Sequence, residues 1–251
     1  MEAPALDLDW STPPTAPPKT RRKMDTNLHD SDPTAPQRFG LPAAYRQRTH
    51  PEYFEDTDDG VTWQPDVYPY AADLARQHGR DTIIDIGCGR AAKLAALATA
   101  EPEWSFIGVD FGPNIHWCSE NHSFGRWIEA DLETQRSLPV PADQLGRAVI
   151  VCCDVLEHLV RPETALALIA SMARTGHCRV VLSTPARERR AGTDYIGEPR
   201  NPAHIREWTS HEFASFLTAQ SFDILDHQLT RSDDASGGQT TQLVTAIPSG
   251  W

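Results

Sequence analysis

No stretch of the sequence approaches the roughly 20 apolar residues that span a bilayer, so no transmembrane helix is expected. The chain opens with Met1-Glu2-Ala3-Pro4, without a basic stretch leading into an apolar run, and a secretory leader is not expected either. There is no Cys-x-x-Cys pair. The five cysteines (Cys88, Cys118, Cys152, Cys153 and Cys178) are odd in number and scattered, mostly in strand-like runs. That usage suits reduced, partly buried thiols in a cytoplasmic protein and argues against a disulfide framework. Positive charge is scarce: 23 Lys and Arg stand against 35 Asp and Glu, a formal net charge of -12. An acidic surface repels phosphate chains and anionic membranes, so nucleic acid and membrane partners are disfavoured unless a local basic patch overrides the bulk field. Internal repeats are also lacking.

What the chain does have is room for one large α/β domain and a tail. Residues 1–40, rich in Pro, Thr and Asp with a basic cluster at Arg21, Arg22 and Lys23, bury too little apolar surface to offset the entropy of ordering. They are expected to be largely disordered; the alternative is a lid or partner-binding arm. Residues 41–66 carry Tyr45, Tyr53, Phe54 and Trp63 and read as an ordered preface to a single domain over 41–251. That aromatic preface could also pair chains as a homodimer. From Tyr68 onward helical and strand-like runs alternate. Strands are expected at 82–86, 105–109, 127–130, 148–153 and 179–182, and a terminal antiparallel hairpin at 222–229 and 240–247. Helices are expected at 68–78, 91–100, 113–122, 163–174 and 209–220, the last opened by a Thr209/Glu212 capping box. Residues 186–207 have no period and read as a long loop. The alternation implies a Rossmann-like α/β fold: a seven-stranded, mostly parallel sheet with helices on both faces. Ligands in such sheets sit beyond the carboxyl ends of the strands.

The first strand runs into Asp85-Ile86-Gly87-Cys88-Gly89, where two glycines let backbone approach a ligand and the next helix offers free N–H groups. The second strand ends in Asp110-Phe111, an acid placed to accept ribose hydroxyls, and the third in Asp131-Leu132, near an adenine edge. The turn alone is ambiguous. Gly87-x-Gly89-x-x-Ala92 also fits a dinucleotide-binding turn, and it fits a tight turn that binds nothing.

Taken together, Asp85 to Gly89, Gly108-Val109-Asp110, Ala130-Asp131-Leu132 and Cys153-Asp154-Val155-Leu156-Glu157-His158 resemble, in order and spacing, the motifs of class I S-adenosylmethionine-dependent methyltransferases. The resemblance covers about residues 65–247. It implies S-adenosylmethionine as cofactor, with Asp85 toward the methionine end, Gly87, Cys88 and Gly89 lining it, Asp110 and Phe111 at the ribose, and Asp131 and Leu132 flanking the adenine. Cys153 belongs to the same lining. Related enzymes lay a segment like Trp63-Gln64-Pro65-Asp66-Val67-Tyr68 over the cofactor, which makes Gln64 and Tyr68 candidate contacts; plain packing explains that segment equally well.

Asp154, Glu157 and His158 begin where the fourth strand ends. Two carboxylates and an imidazole gathered on one turn repel or sit poorly solvated unless something positive joins them, and a divalent cation would do so. Mg²⁺, Mn²⁺ and Zn²⁺ all suit mixed oxygen and nitrogen ligands. The pattern resembles the metal-assisted O-methyltransferase branch of the class, small-RNA 3′-terminal 2′-O-methyltransferases and ubiquinone-pathway O-methyltransferases, which carry acid-x-x-Glu-His here; the RNA enzymes add a distal histidine ahead of Glu-Trp-Thr. Here His204-Ile205-Arg206-Glu207-Trp208-Thr209 follows that arrangement, which makes His204 the fourth candidate ligand. Asp154 departs from it: those enzymes carry Glu there, and the shorter reach puts direct ligation in question. In this reading a cation lowers the acceptor hydroxyl's pKa and His158, His204 or Asp154 assists proton removal. The metal-free alternative leaves Glu157 to brace a helix and His158 as a lone base or a structural residue.

The acceptor is expected at the 186–207 loop, whose Arg187, Arg189, Arg190, Tyr195, Glu198, Arg200 and Asn201 suit a polyhydroxylated partner such as a saccharide. The run from Thr184-Pro185 to Arg206-Glu207-Trp208 resembles bacterial methyltransferases of glycan or natural-product pathways, which implies a saccharide or natural-product-like small molecule. A solvated loop is the bland alternative. Methylation of an RNA 3′ end at the 2′-hydroxyl is the rival substrate, opposed by the net charge. Metal-free N- or O-methylation of a small metabolite is another rival. Outside enzymology the alternative is a cofactor-binding scaffold, which a titration with S-adenosylmethionine followed by transfer assays separates from an enzyme.

Overall fold

The computed structural model describes residues 35–50 and 61–251. A one-turn helix, α1 (Ala35–Arg38), precedes α2 (Val67–Gln77), β1 (Thr82–Ile86), α3 (Ala92–Ala100), β2 (Ser105–Asp110), α4 (Pro113–Asn121) and β3 (Gly125–Glu129). Then come α5 (Ala142–Leu145), β4 (Ala148–Cys153), a single 3-10 turn (Leu156–His158), α6 (Pro162–Gly176) and β5 (Arg179–Pro185). The chain ends with α7 (Arg187–Arg190), α8 (Ser210–Ala219), β6 (Phe222–Thr230) and β7 (Thr241–Pro248). The strands form one seven-stranded sheet in the order β3-β2-β1-β4-β5-β7-β6, parallel except for β7. This is the Rossmann-like architecture expected from the alternation. Among the described residues no helix is long and apolar enough to cross a membrane.

The central strands are continuous apolar runs because helices cover both faces. Every residue of β1 and of β4 is buried, Asp85 among them. Helix α6 starts on Pro162, whose missing N–H would have no partner there, and stops at His177 in the left-handed region. Helix α8 has the expected capping box: Thr209 accepts from the Glu212 N–H, and Glu212 accepts from the Thr209 N–H. The order reverses between β1 and β4. The carboxyl ends of these adjacent strands, at Asp85 and Cys153, open the crevice where such sheets take ligands.

Two expectations change. Residues 1–34 of the expected disordered tail lie outside the described residues, as do Tyr53 and Phe54. Its last residues, 35–40, are ordered: Phe39 is buried edge-on against Phe216, and its carbonyl accepts from the Trp208 indole at 2.9 Å. The apolar anchor lies far away in sequence, so local composition does not reveal it. The 186–207 segment, expected as one long loop, is irregular and largely exposed only over residues 191–202. It opens with α7 and closes with residues 203–209 buried. Arg187 lies inside the fold, bonded to the Glu207 carbonyl at 2.8 Å and the Glu212 carboxylate at 2.6 Å. It is a structural ion pair, unavailable to an acceptor.

Candidate active site

The cofactor side is built mainly from backbone. Gly87 has φ 83°, and a Cβ there would lie 2.3 Å from the Val155 side chain. Glycine is required at this position by packing as much as by any ligand. Gly89 at φ 56° completes the turn, and Ala91 at φ 58° adopts the left-handed conformation without being glycine. Asp110 ties β2 to this turn: one oxygen accepts from the Gly89 N–H at 2.7 Å, the other from the Phe111 N–H at 2.8 Å. Phe111 is exposed, and Leu132 is buried. Asp131 accepts from the Glu133 N–H at 2.9 Å, which fixes the turn after β3.

Asp85 is fully buried. One oxygen accepts from the Tyr68 hydroxyl at 2.6 Å, while Oδ1 has no partner among the described residues. Burial pushes its carboxyl up to about 7, against the Tyr68 hydrogen bond and the Lys93 charge, which favour the anion. Tyr68 therefore serves Asp85 directly. Lys93, in the first turn of α3, lies over the Tyr68 ring at 5.2 Å and donates to Cys153 Sγ at 3.6 Å. Sequence reading missed Lys93. The cue was a lone charge within an alanine-rich helix immediately after the glycine turn. Cys88 and Cys153 are buried thiols, the latter pushed up to about 11 chiefly by burial.

Beyond β4 the fold gathers Asp154, Glu157, His158 and His204, with one ligand-type atom from each lying within 4.8 Å of the others. Asp154 sits at φ 60° and the 3-10 turn carries Glu157 and His158. His204 arrives from the distant segment, which is fastened to that turn: the Ile205 N–H donates to the Glu157 carbonyl at 2.7 Å. Arg206 clamps the same connection, donating to the Leu159 and Val160 carbonyls at 2.7 and 3.1 Å. The His158 and His204 rings meet edge to face, 4.7 Å between centroids.

The hydrogen bonds fix the tautomers. His158 Nδ1 lies 3.0 Å from the Ala203 carbonyl, which can only accept, so Nδ1 carries the proton and Nε2 keeps its lone pair. Burial lowers His158 to about 4, so the ring is neutral at physiological pH. His204 Nδ1 faces Glu207 at 2.6 Å, the carboxylate–imidazole pairing that orients metal-binding histidines. Its Nε2 lies 3.0 Å from the Asn201 amide nitrogen, so Asn201 competes for that lone pair. Glu157 is fully buried; neither of its oxygens has a donor in good hydrogen-bonding geometry among the described residues, with the Asp154 carboxyl and the Thr184 hydroxyl as its polar neighbours. Burial, and then the neighbouring Asp154 charge, push its carboxyl well above the usual range. Burial also works to raise Asp154, but the two histidines pull it below its ordinary value. A buried carboxylate without a partner is expensive unless a cation joins it. The donor set therefore fits a divalent ion.

A cavity of about 270 Å³ adjoins this cluster, lined by Trp63, Gln64, Asp154, Arg190, Asp233 and Thr241 among others. Of the side chains expected to meet an acceptor, Arg190 lines it. Tyr195 turns to the Glu198 carbonyl, and Asn201 to His204. Gln64, a candidate cofactor contact, lines this cavity and donates to Asp154 Oδ1 at 2.7 Å. The cavity walls contributed by Trp63 and Asp233 were not found by sequence; they meet through an isolated antiparallel bridge between distant segments.

A profile described as a methyltransferase domain matches residues 46–227. Over 68 residues the chain is 37% identical to a tRNA (guanine-N(7)-)-methyltransferase of Synechococcus elongatus, covering 27% of this chain and 30% of that protein. The chain spans about a third of the length of the curated relatives it matches. Among solved structures, the small RNA methyltransferase HEN1 superposes with TM-score 0.55 at 16% identity, over 80% of this chain and 27% of that one. A mitomycin 7-O-methyltransferase superposes with TM-score 0.51 at 16% identity, over 72% of this chain and 54% of the other. At such identities the likeness is one of fold.

Proposed function

The chain belongs to the methyltransferase domain family, and from the premise that it is an S-adenosylmethionine-dependent methyltransferase we propose that it methylates a hydroxyl group of a saccharide or natural-product-like small molecule with the help of a divalent cation. Glu157 carries this reading: a buried acid whose oxygens lack a well-formed hydrogen bond, inside a ring of ligand atoms beside a cavity. Asp154, Glu157, His158 and His204 would hold Mg²⁺, Mn²⁺ or Zn²⁺, which when bound supplies Lewis acidity at an acceptor oxygen.

The chain's own groups do the rest. The glycine turn, Asp110 and Asp131 cradle the nucleoside, with the Asp110 carboxylate toward the ribose. Asp85 and Tyr68 lie at the methionine end. His158 keeps Nε2 unprotonated near neutral pH and is competent as a ligand or as acceptor of the hydroxyl proton. The cavity is of a size for one sugar ring or a small fused ring. Trp63 offers it a half-exposed aromatic face, and Arg190 and Thr241 offer donors. Catalysis in such a site rests mainly on holding the acceptor oxygen in line with the methyl group and the departing sulfur.

The likeness to HEN1 favours a second reading, 2′-O-methylation at an RNA 3′ end. It needs electropositive contact along a phosphate chain, which a net charge of -12 opposes. Labelled S-adenosylmethionine offered with a small-RNA duplex and, separately, with a panel of saccharides and phenolic small molecules separates the two. Chelation should abolish transfer and added Mg²⁺ or Mn²⁺ restore it. Full activity in excess chelator removes the metal and leaves the methyltransferase.

A further inference from the structure

Gln64 lies where the cofactor side meets the cation cluster, and its amide is fully oriented by its neighbours. The residue is buried at φ 52°, and its N–H is anchored to the Ser232 carbonyl at 2.8 Å. The end of the side chain 2.7 Å from Asp154 Oδ1 must be the NH₂ group, because a carboxylate can only accept. The carbonyl end then accepts from Ser183 Oγ at 2.5 Å and Cys153 Sγ at 3.2 Å. A flipped amide would set oxygen against carboxylate oxygen.

Asp154 itself follows β4 in the left-handed region, held by its N–H to the Ser183 carbonyl at 3.2 Å. Ser183 thus fixes both partners, one through its carbonyl and the other through its hydroxyl. The acid at this position has one methylene fewer than glutamate and little freedom to seek a ligand geometry by itself. We infer that Gln64 is a positioning residue for the cation site: by holding one Asp154 oxygen through a neutral donor, it fixes the carboxylate beside Glu157, His158 and His204, so that the short acid serves in the set. This rests on the cation reading above. A carboxamide suits the task because it orients the anion without adding charge, as outer partners of metal ligands do.

The test is calorimetric titration of the full chain with Mn²⁺ alone. Electron paramagnetic resonance of the bound ion is the second readout, and S-adenosylhomocysteine affinity the control. Gln64→Met keeps the length and removes the donor; Ser183→Ala removes only the hydroxyl that orients the amide. Gln64→Met should weaken Mn²⁺ about tenfold or more and alter its spectrum. Ser183→Ala should weaken Mn²⁺ less, with nucleoside affinity unchanged in both. Unchanged Mn²⁺ affinity and spectrum in both variants overturn the inference. So does a loss of nucleoside affinity in step with Mn²⁺, which marks general loosening. A wild-type chain that takes up no Mn²⁺ removes the cation site, and the inference with it, and the wild-type titration tells that failure apart.

Discussion

The two sides of the sheet's carboxyl edge solve the problem of placing acids in opposite ways. On the β1–β2 side, Asp110 gives each oxygen to a backbone N–H within its own turn or the adjacent one. On the β4 side, Glu157 has no well-formed hydrogen bond to either oxygen among the described residues. A satisfied carboxylate shapes a loop and presents what is left of its lone pairs to a neutral ligand such as a ribose. An unsatisfied one in the interior favours its protonated form until something positive arrives to hold the anion. The first arrangement suits reversible capture of a nucleoside; the second suits a cation.

Removing the unsatisfied acid tests the contrast most severely. Glu157→Gln should eliminate Mn²⁺ binding in calorimetry and lower methyl transfer by several kcal/mol of transition-state stabilisation, on the order of 1000-fold. The same variant should melt close to wild type without metal, since burial already favours the uncharged carboxyl that the amide replaces. A large drop in melting temperature would show that Glu157 braces the fold and would erase the contrast.

Asp85 gives the next largest effect, and its sign is fixed. Its folded pKa, about 7, lies above the model-compound value of 3.8, so folding favours the protonated form. Its contribution is fully present below the unfolded pKa and is lost as pH rises from about 4 through 7, at most roughly 4 kcal/mol. Asp85→Asn should therefore gain stability relative to wild type across that window, read as the difference between their melting temperatures without ligand. A difference flat with pH would mean that Asp85 is ionised in the fold.

Asp110→Ala should weaken S-adenosylhomocysteine by about 1.5–3 kcal/mol, the worth of hydrogen bonds to a charged group, while Mn²⁺ affinity holds. Loss of both together would merge the two sides into one cooperative unit. The smallest effect concerns strain. Ala91 and Asp154 share left-handed geometry, one on each side. Ala91→Gly relieves roughly 1–2 kcal/mol of strain but loses a buried methyl worth about 0.8 kcal/mol, so melting should rise by only a few degrees and transfer should persist. Asp154→Gly should relieve comparable strain and lose metal affinity. Similar activity in both glycine variants would deny Asp154 any role.

The β1–β3 side was largely legible because its parts are local. Asp85 to Gly89, Asp110 and Asp131 each sit in a short strand-to-turn run, and the period of the flanking residues places those runs on one edge. Glu157, His158 and His204 could be listed from their spacing. Their convergence depends on the Ile205 N–H meeting the Glu157 carbonyl and on Arg206 reaching the 159–160 carbonyls, contacts between stretches more than 40 residues apart. The assignment of Arg187 to the acceptor rather than to the core has the same root. Arg187, Arg206 and Glu207 look like surface residues by type and are buried only because the fold supplies each with partners.

By itself the sequence determined the alternating sheet, the α8 capping box and the glycine turn after β1, because hydrophobic period and backbone conformation act over a few residues. Only the tertiary structure decided which acid is left unpaired, which way the Gln64 amide points and which imidazole nitrogens keep a lone pair. Those outcomes depend on donors and acceptors brought within about 3 Å from separate parts of the chain, and no local rule carries that information.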